Sequence, residues 1–306
     1  MESYKKKTIL GIDIGGTNIK SALVSNEGKM TDFSISPTSD WVDSGNFVHH
    51  LTELIHKFYC QGIVGCGIAI PGIVGYDGNR ATMVNAIPSL NNVCIRDEIQ
   101  KEFPELEIVV ENDSNAAAYG EFFSIKDRIS NDLIFVTIGT GIGCGLIIDG
   151  VVFKGGSGGA MELGLTLTDD NECLDDAIGI KGIEKIAHQK KSQNTHFNID
   201  SSYSISEIIK LANLNDKFAN DVLFQAGTIL GKMLVNVVWL FDVKNIAIGG
   251  GIAEAFPSIE SGINNIFKQH FPEEVFNEIR LTKATTGNNA GLIGAALLCF
   301  SKKISK

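Results

Sequence analysis

Part of this 306-residue chain occurs twice, and no other feature limits its fold as strongly. "ILGIDIGGTNIKSALVSNEG" and "IFVTIGTGIGCGLIIDG" superpose without a gap, setting Ile138 on Ile14, Gly139 on Gly15 and Ile147 on Leu23. Each copy reads as an apolar strand, a glycine turn and a second strand. The same supersecondary unit in both halves implies a duplicated α/β domain, with a cleft between the two copies.

The segments around the repeat alternate strand and helix patterns. "TILGIDIGG", "NIKSALVS" and, after the "NEGK" turn, "MTDFSI" read as three antiparallel strands. A helix follows with Phe47, Leu51, Leu54, Ile55 and Phe58 on its apolar face; His49, His50 and His56 on it are expected in solvent rather than on a ligand. "GIVGCGIAIPG" is a strand ending in a Pro71-Gly72 turn, a helix is expected near 93–103, and "LEIVV" is the next strand. Residues 190–215 read as a surface insertion in which Ser204 and Glu207 form a capping box that starts a helix. "VLFQAGTILGKMLVNVVWLF" is interrupted by Gln225, Lys232 and Asn236, so a buried amphipathic helix is expected and not a membrane span. "VKNIAIGGG" is a last strand entering a helix at Ile252, and "NNAGLIGAALLCF" is an apolar closing helix docked on the first half.

Charge restricts the ligands. With a net charge of −10 and a pI near 5.1, the chain lacks the clustered cations that grip nucleic acid through its phosphates, and no nucleic-acid partner is expected. An anionic ligand must then be held by backbone N–H groups or through a metal ion. Lys5, Lys6 and Lys7 read as a solvated leader. Cys60, Cys66, Cys94, Cys144, Cys173 and Cys299 form no C-x-x-C pair and no secretory leader precedes them, which points to a reducing cytoplasm and no membrane partner.

"VVENDSNAAAYGEF" poses the chemical question. The apolar run ends at Val110 and meets Glu111, Asn112, Asp113 and Ser114 just before an alanine-rich helix start. Such residues can cap a first helical turn. The glycine turns support a second reading. "DIGGT" and "TIGTGIGCG" can aim backbone N–H groups at an anion with no side chain in the way, and "IAIGGGIAEAF" adds a third glycine turn running into a helix. A dinucleotide fingerprint is excluded, because it needs a helix after the glycines and "LIIDGVVF" continues as strand and turn. A carboxylate such as Asp13 beside a phosphate cradle makes sense with Mg²⁺ between them. Asp113, at another strand end, can then accept a proton from a hydroxyl nucleophile.

"GIDIGGTNIK", "GIAIPGIV", "VENDSNAAAYGE", "TIGTGIGCGLIIDG", "GAMELG", "IAIGGGIAEA" and "NNAGLIGAALL", in this order, make nearly the whole chain resemble a bacterial sugar kinase of the ROK family. The resemblance implies two actin-like (ribonuclease H-like) ATPase domains, here 1–113 with 290–306 and 114–289. It implies ATP and Mg²⁺ as cofactors and transfer of the γ-phosphoryl group to the 6-hydroxyl of a hexose, glucose foremost. A β-glucoside kinase and an N-acetylhexosamine kinase are the alternatives, and a homodimer is common in the family. Other members are sugar-responsive repressors with an extra N-terminal DNA-binding domain; with the first strand read as beginning at Thr8, no such domain is expected here. An actin-like ATPase driving another protein would want an extra substrate domain or cluster-binding cysteines.

By the same resemblance, Asp113 matches the catalytic base, and Asn112, Glu162 and Asp175 match residues that bind the sugar, with Gly72 assigned beside them. Gly15, Gly16 and Thr17 match the first phosphate loop, Thr140 and Gly141 the second, and Gly250 and Gly251 the turn that passes the adenosine, while Asp13 serves the metal through ATP. Two departures stand out. The family's usual His is Leu165, and of its zinc-binding loop only Cys173 remains, so no zinc is expected and selectivity near the anomeric carbon is expected to differ.

Overall fold

A computed structural model describes residues 8–43, 46–192 and 203–304. Lys5, Lys6, Lys7 and residues 193–202 of the expected insertion lie outside the described residues.

The chain divides into two compact units. Unit 1 comprises Met1–Asn131, Gly145–Met161 and Asn288–Lys306, and unit 2 comprises Asp132–Cys144 and Glu162–Gly287. In unit 1, β1 (Thr8–Ile14), β2 (Asn18–Ser25) and β3 (Met30–Pro37) form the expected antiparallel meander. After α1 (Thr38–Val42) and α2 (Phe47–Tyr59), β4 (Gly65–Ile70) joins β1 in parallel. A small hairpin, β5 (Ile73–Val74) with β6 (Ala81–Thr82), precedes α3 (Ile95–Glu102); β7 (Glu107–Asn112) then pairs in parallel with β4, and α4 (Asp113–Ile125) follows. The sheet order is β3-β2-β1-β4-β7.

β1 and β4 are apolar on both faces because both faces are covered. On one side Ile12, Ile14, Ile68 and Ile70 join Leu51, Ile55, Ile95 and Ile99 of α2 and α3 in one core. On the other side Ile9, Val24 and Val109 meet Leu292, Ala296 and Cys299 of the closing helix, α11 (Ala290–Ile304). α11 also lies close along α4: a Cβ placed on Gly294 would stand 1.7 Å from the Ala116 carbonyl oxygen. Only glycine allows that approach. This packing carries α4 with unit 1, so the expected seam at 113/114 falls inside the unit instead of at its edge.

The second sheet repeats the order, as β10-β9-β8-β11-β12. It consists of β8 (Leu133–Ile138), β9 (Ile142–Ile148), β10 (Val151–Val152), β11 (Asn245–Gly249) and β12 (Arg280–Lys283), with β8, β11 and β12 parallel. β9 carries the chain from unit 2 into unit 1. Between β10 and β11 come α5 (Leu174–Ile178), α6 (Ile180–Ser192), α7 (Ile205–Asn213) and α8 (Lys217–Phe241); α9 (Phe256–His270) and α10 (Glu273–Glu278) precede β12. α8 is long and apolar enough to cross a membrane, yet it is the expected core helix: Val222, Leu223, Leu230, Leu234 and Val238 are fully buried and Gly227 lies against the backbone of Ile259 in α9. The capping box at α7 forms as expected, Ser204 accepting from the Glu207 N–H and Glu207 accepting from the Ser204 N–H. The helix expected from Ile252 starts as a 3-10 turn, Gly251–Ala255, and becomes α-helical at Phe256, next to Pro257. His49 and His56 are exposed and pair with Glu53 and Glu102, while His50 is half-buried against Trp41.

Candidate active site

In unit 1 the strand register brings the predicted residues to one edge. Asp13 lies opposite Ala69, which lies opposite Glu111, and Ile70 lies opposite Asn112. Asp13 with Gly15–Thr17, the Pro71-Gly72 turn, and Asn112 with Asp113 therefore leave the carboxyl ends of three adjacent parallel strands, where open α/β sheets bind ligands.

Asn112 answers half of the capping question. Its Oδ1 accepts from the Asn115 N–H at 2.9 Å, so Asn112 is the cap of α4 and Asp113 is the first helical residue. The Asn112 Nδ2 donates to the Gly72 carbonyl at 2.9 Å and to Asp113 Oδ1 at 3.2 Å. Asp113 Oδ1 also accepts from the Ser114 N–H at 2.8 Å and from its hydroxyl at 3.3 Å, which holds the carboxylate in one orientation. Gly72 has φ +91°, and a Cβ there would stand 2.5 Å from the Thr82 carbonyl oxygen. That turn needs glycine, and its carbonyl anchors Asn112.

Asp13 pairs with Lys20 across the β1–β2 hairpin, Nζ to Oδ2 3.5 Å. Burial pushes the Asp13 carboxyl above its usual range, and Lys20 partly offsets the rise. Lys20 also donates to the Asn288 carbonyl just ahead of α11. Beside them Gly16 and Thr17 are exposed, and the Gly15 N–H closes the turn on the Asn18 carbonyl at 2.9 Å. A half-buried carboxylate next to an open glycine turn fits Mg²⁺ carried by a nucleotide, since that ion takes one or two carboxylates and fills its other positions with phosphates and waters.

In unit 2, Gly249 lies opposite Thr137, so the Gly250-Gly251 turn leaves β11 beside the Gly139–Gly141 turn of β8. Gly250 has φ +83°, and a Cβ there would be 2.3 Å from the Ile138 carbonyl oxygen. Asp175, in the first turn of α5, accepts from the Ile142 N–H at 2.6 Å and so holds the far side of the Thr140-Gly141 turn. Glu162 is close enough for the Asp175 charge to act on it; burial first, then that charge, raises the Glu162 carboxyl. Burial and the Glu162 charge push the Cys144 thiol up to about 12. Leu165 closes the 3-10 turn Leu163–Leu165 and is 46% exposed, with the Cys173 thiol 3.8 Å from its carbonyl oxygen. Among the described residues no group of three or more His, Cys, Asp or Glu side chains is placed to hold a metal ion.

Sequence reasoning gave no role to Lys20, Asn115 or Lys154, nor to Glu111 beyond its place in the polar run before α4. Lys20 was within reach, because drawing the first hairpin in register sets it opposite Asp13. The other three form a cluster that no local pattern announces: Glu111 Oε2 meets Lys154 Nζ at 3.0 Å, and Glu111 Oε1 accepts from the Asn112 N–H at 3.1 Å and from Asn115 Nδ2 at 3.2 Å.

The sequence profile of the ROK family matches residues 9–302. The chain belongs to the ROK family. Its fold is the family's two-domain, actin-like α/β fold. A crystal structure from Cytophaga hutchinsonii, provisionally named a sugar kinase, is similar at a TM-score of 0.88 and 34% identity, covering 96% of this chain and 99% of that one. The glucokinase of Halalkalibacterium halodurans is 25% identical, with 94% of each chain covered. The xylose repressor of Bacillus spizizenii is 28% identical over 93% of this chain and 75% of its own length. ROK relatives of this chain thus include both a kinase and a repressor.

Proposed function

We propose that the protein is a cytoplasmic sugar kinase that uses ATP and Mg²⁺ to phosphorylate the 6-hydroxyl of a hexose, glucose foremost. The observation that carries this reading is the division of labour at the start of α4. Asn112 caps the helix, so Asp113 is not needed as a cap, and its carboxylate is oriented by three donors at the carboxyl edge of the sheet.

In this reading Asp113 takes the proton from the sugar hydroxyl as that oxygen attacks the γ-phosphorus, and the bond from phosphorus to the ADP oxygen breaks in line with the attack. Asn112, Glu162 and Asp175 bind sugar hydroxyls, and Gly72 contributes by holding Asn112. Gly16 and Thr17, with Thr140 and Gly141, present N–H groups to the phosphates, Gly15 shaping the first turn through its bond to the Asn18 carbonyl, while Gly250 and Gly251 pass the adenosine. Asp13 would hold Mg²⁺, which supplies charge neutralisation on the transferring phosphoryl group. Lys20 keeps the Asp13 carboxylate oriented beforehand. The protein would act as a homodimer without structural zinc.

Leu165 bears on the choice of sugar. A leucine makes no hydrogen bond to an anomeric hydroxyl, and a site without that bond discriminates weakly against a substituent there. β-Glucosides are therefore acceptable alternatives, and N-acetylhexosamines remain a second class to test.

The test is ADP release from ATP by the purified protein with glucose, methyl β-glucoside, N-acetylglucosamine and N-acetylmannosamine, the product being identified by mass spectrometry. Sugar-dependent ADP release with a 6-phosphorylated product is expected, glucose and its β-glycoside differing by less than about a thousandfold, or roughly 4 kcal/mol. Tight sugar binding with no ADP release on any member would favour a sugar-responsive regulator.

A further inference from the structure

Glu111 and Lys154 hold no role in the reading above, yet they form an ion pair between a buried carboxylate and a largely covered ammonium, with 7% and 14% of their side chains exposed. Removing two charges from water is costly, and apolar residues of similar volume commonly give equal or better stability. The bonding of the pair suggests what it does instead. The Lys154 ammonium fixes one oxygen of Glu111; the other oxygen holds the Asn112 N–H and the Asn115 side-chain amide. Asn115 Oδ1 is buried without a partner, which leaves its donor bond to Glu111 to orient that amide. Asn112 in turn caps α4 and donates to Asp113 Oδ1. A continuous chain of polar contacts thus runs from Lys154 through Glu111 and Asn112 to the candidate base.

We propose that Lys154 is a positioning residue: acting through Glu111, it fixes the Asn112 cap and thereby the direction of the Asp113 carboxylate. The proposal rests on the reading of Asp113 as the base. Lys154 sits on the segment after β10, and that segment is itself tightly held. Its carbonyl accepts from the Gly158 N–H at 3.1 Å, and Ser157 accepts from the Tyr76 N–H at 3.1 Å. The ammonium is therefore delivered from an anchored backbone. A cavity of about 870 Å³ in unit 1 is lined by both Glu111 and Lys154, together with Tyr76, Tyr119, Val151 and Leu298. A small cation can reach Glu111 through it once the lysine is shortened.

The experiment uses the full chain with Lys154→Ala and Lys154→Arg. It reads kcat, KM for the sugar and amide hydrogen exchange at Asn112 and Asn115, each with and without ethylammonium chloride. Lys154→Ala is expected to lower kcat by about 10-fold to 100-fold, the scale of a misplaced reacting group. KM should move by less than about threefold, because the loss is of alignment rather than of uniform binding. Exchange at Asn112 and Asn115 should accelerate, ethylammonium should reverse both effects saturably, and Lys154→Arg should keep kcat within about threefold. Unchanged kcat in Lys154→Ala overturns the proposal; so does a fall in kcat that ethylammonium does not relieve and that leaves exchange at wild-type rates. If Lys154→Ala does not fold, Lys154→Met keeps the apolar stem, and its exchange and kcat decide in the same way. A wild-type protein inactive on every sugar refutes the kinase reading alone, and exchange then decides the role of Lys154 by itself.

Discussion

At the first glycine turn Asp13 and Lys20 face each other across the β1–β2 hairpin and form an ion pair. At the second turn the positions that superpose on them hold Thr137 and Cys144, so the same frame carries no charge of its own. Acidity there comes from outside the hairpin, from Glu162 and from Asp175 in the first turn of α5, and Asp175 reaches in to the Ile142 N–H at 2.6 Å. A glycine turn between strands supplies N–H groups wherever it occurs. What distinguishes the copies is where the carboxylate is mounted. A carboxylate in the strand, beside the turn, suits a metal that travels with the phosphates; carboxylates brought by loop and helix suit a neutral, hydroxyl-rich ligand.

Asp13→Asn keeps the shape of the side chain and removes the charge, and kcat/KM for ATP should fall by about 10²-fold to 10³-fold, with sugar affinity measured by calorimetry unchanged. If sugar affinity falls in parallel, the carboxylates at the two turns do not divide the ligands in this way. Asp175→Ala is the counterpart. It frees the Ile142 N–H and removes the acceptor proposed for the sugar, so KM for the sugar should rise about tenfold while KM for ATP stays within about twofold. A selective loss of ATP affinity would instead make Asp175 a support of the phosphate turn.

The smallest effect is one of stability. The Asp13 carboxyl is raised in the fold above its value of 3.8, chiefly by burial, so its ionisation opposes folding. The cost is absent below 3.8, grows as pH rises through the raised value and is full above it. Asp13→Asn should therefore melt a few degrees higher than wild type at pH 7, with the gap closing as pH falls toward about 4. A gap that widens on acidification would mean that Lys20 outweighs burial at Asp13.

Local chemistry was legible in the sequence and distant pairing was not. Both glycine turns and the start of α4 could be located because a Gly-rich turn and a polar run after an apolar strand are local signals. The division of roles between Asn112 and Asp113 was not, since either residue type can cap; the answer lay in the backbone, where β7 runs on through Asn112. β12, "RLTK", was missed because its residues are mostly exposed and show no period-two alternation, its pairing being set by β11. The pairing of Lys154 with Glu111 was missed because nothing in either neighbourhood indicates the other, and the same distance in sequence hid the close seating of α11 on α4 that moves the expected domain seam.

In the proposed mechanism Asp113 works as a base while Asn112 does the capping. The most direct measurement is a pair made on Asp113→Asn with the preferred sugar: affinity by calorimetry and turnover by ADP release. Affinity within about threefold of wild type, with kcat lower by about 10²-fold to 10⁴-fold, is the predicted result. A fall in kcat of less than about tenfold, or a loss of turnover matched by an equal loss of stability and sugar binding, would contradict it and return Asp113 to the helix start as a structural residue.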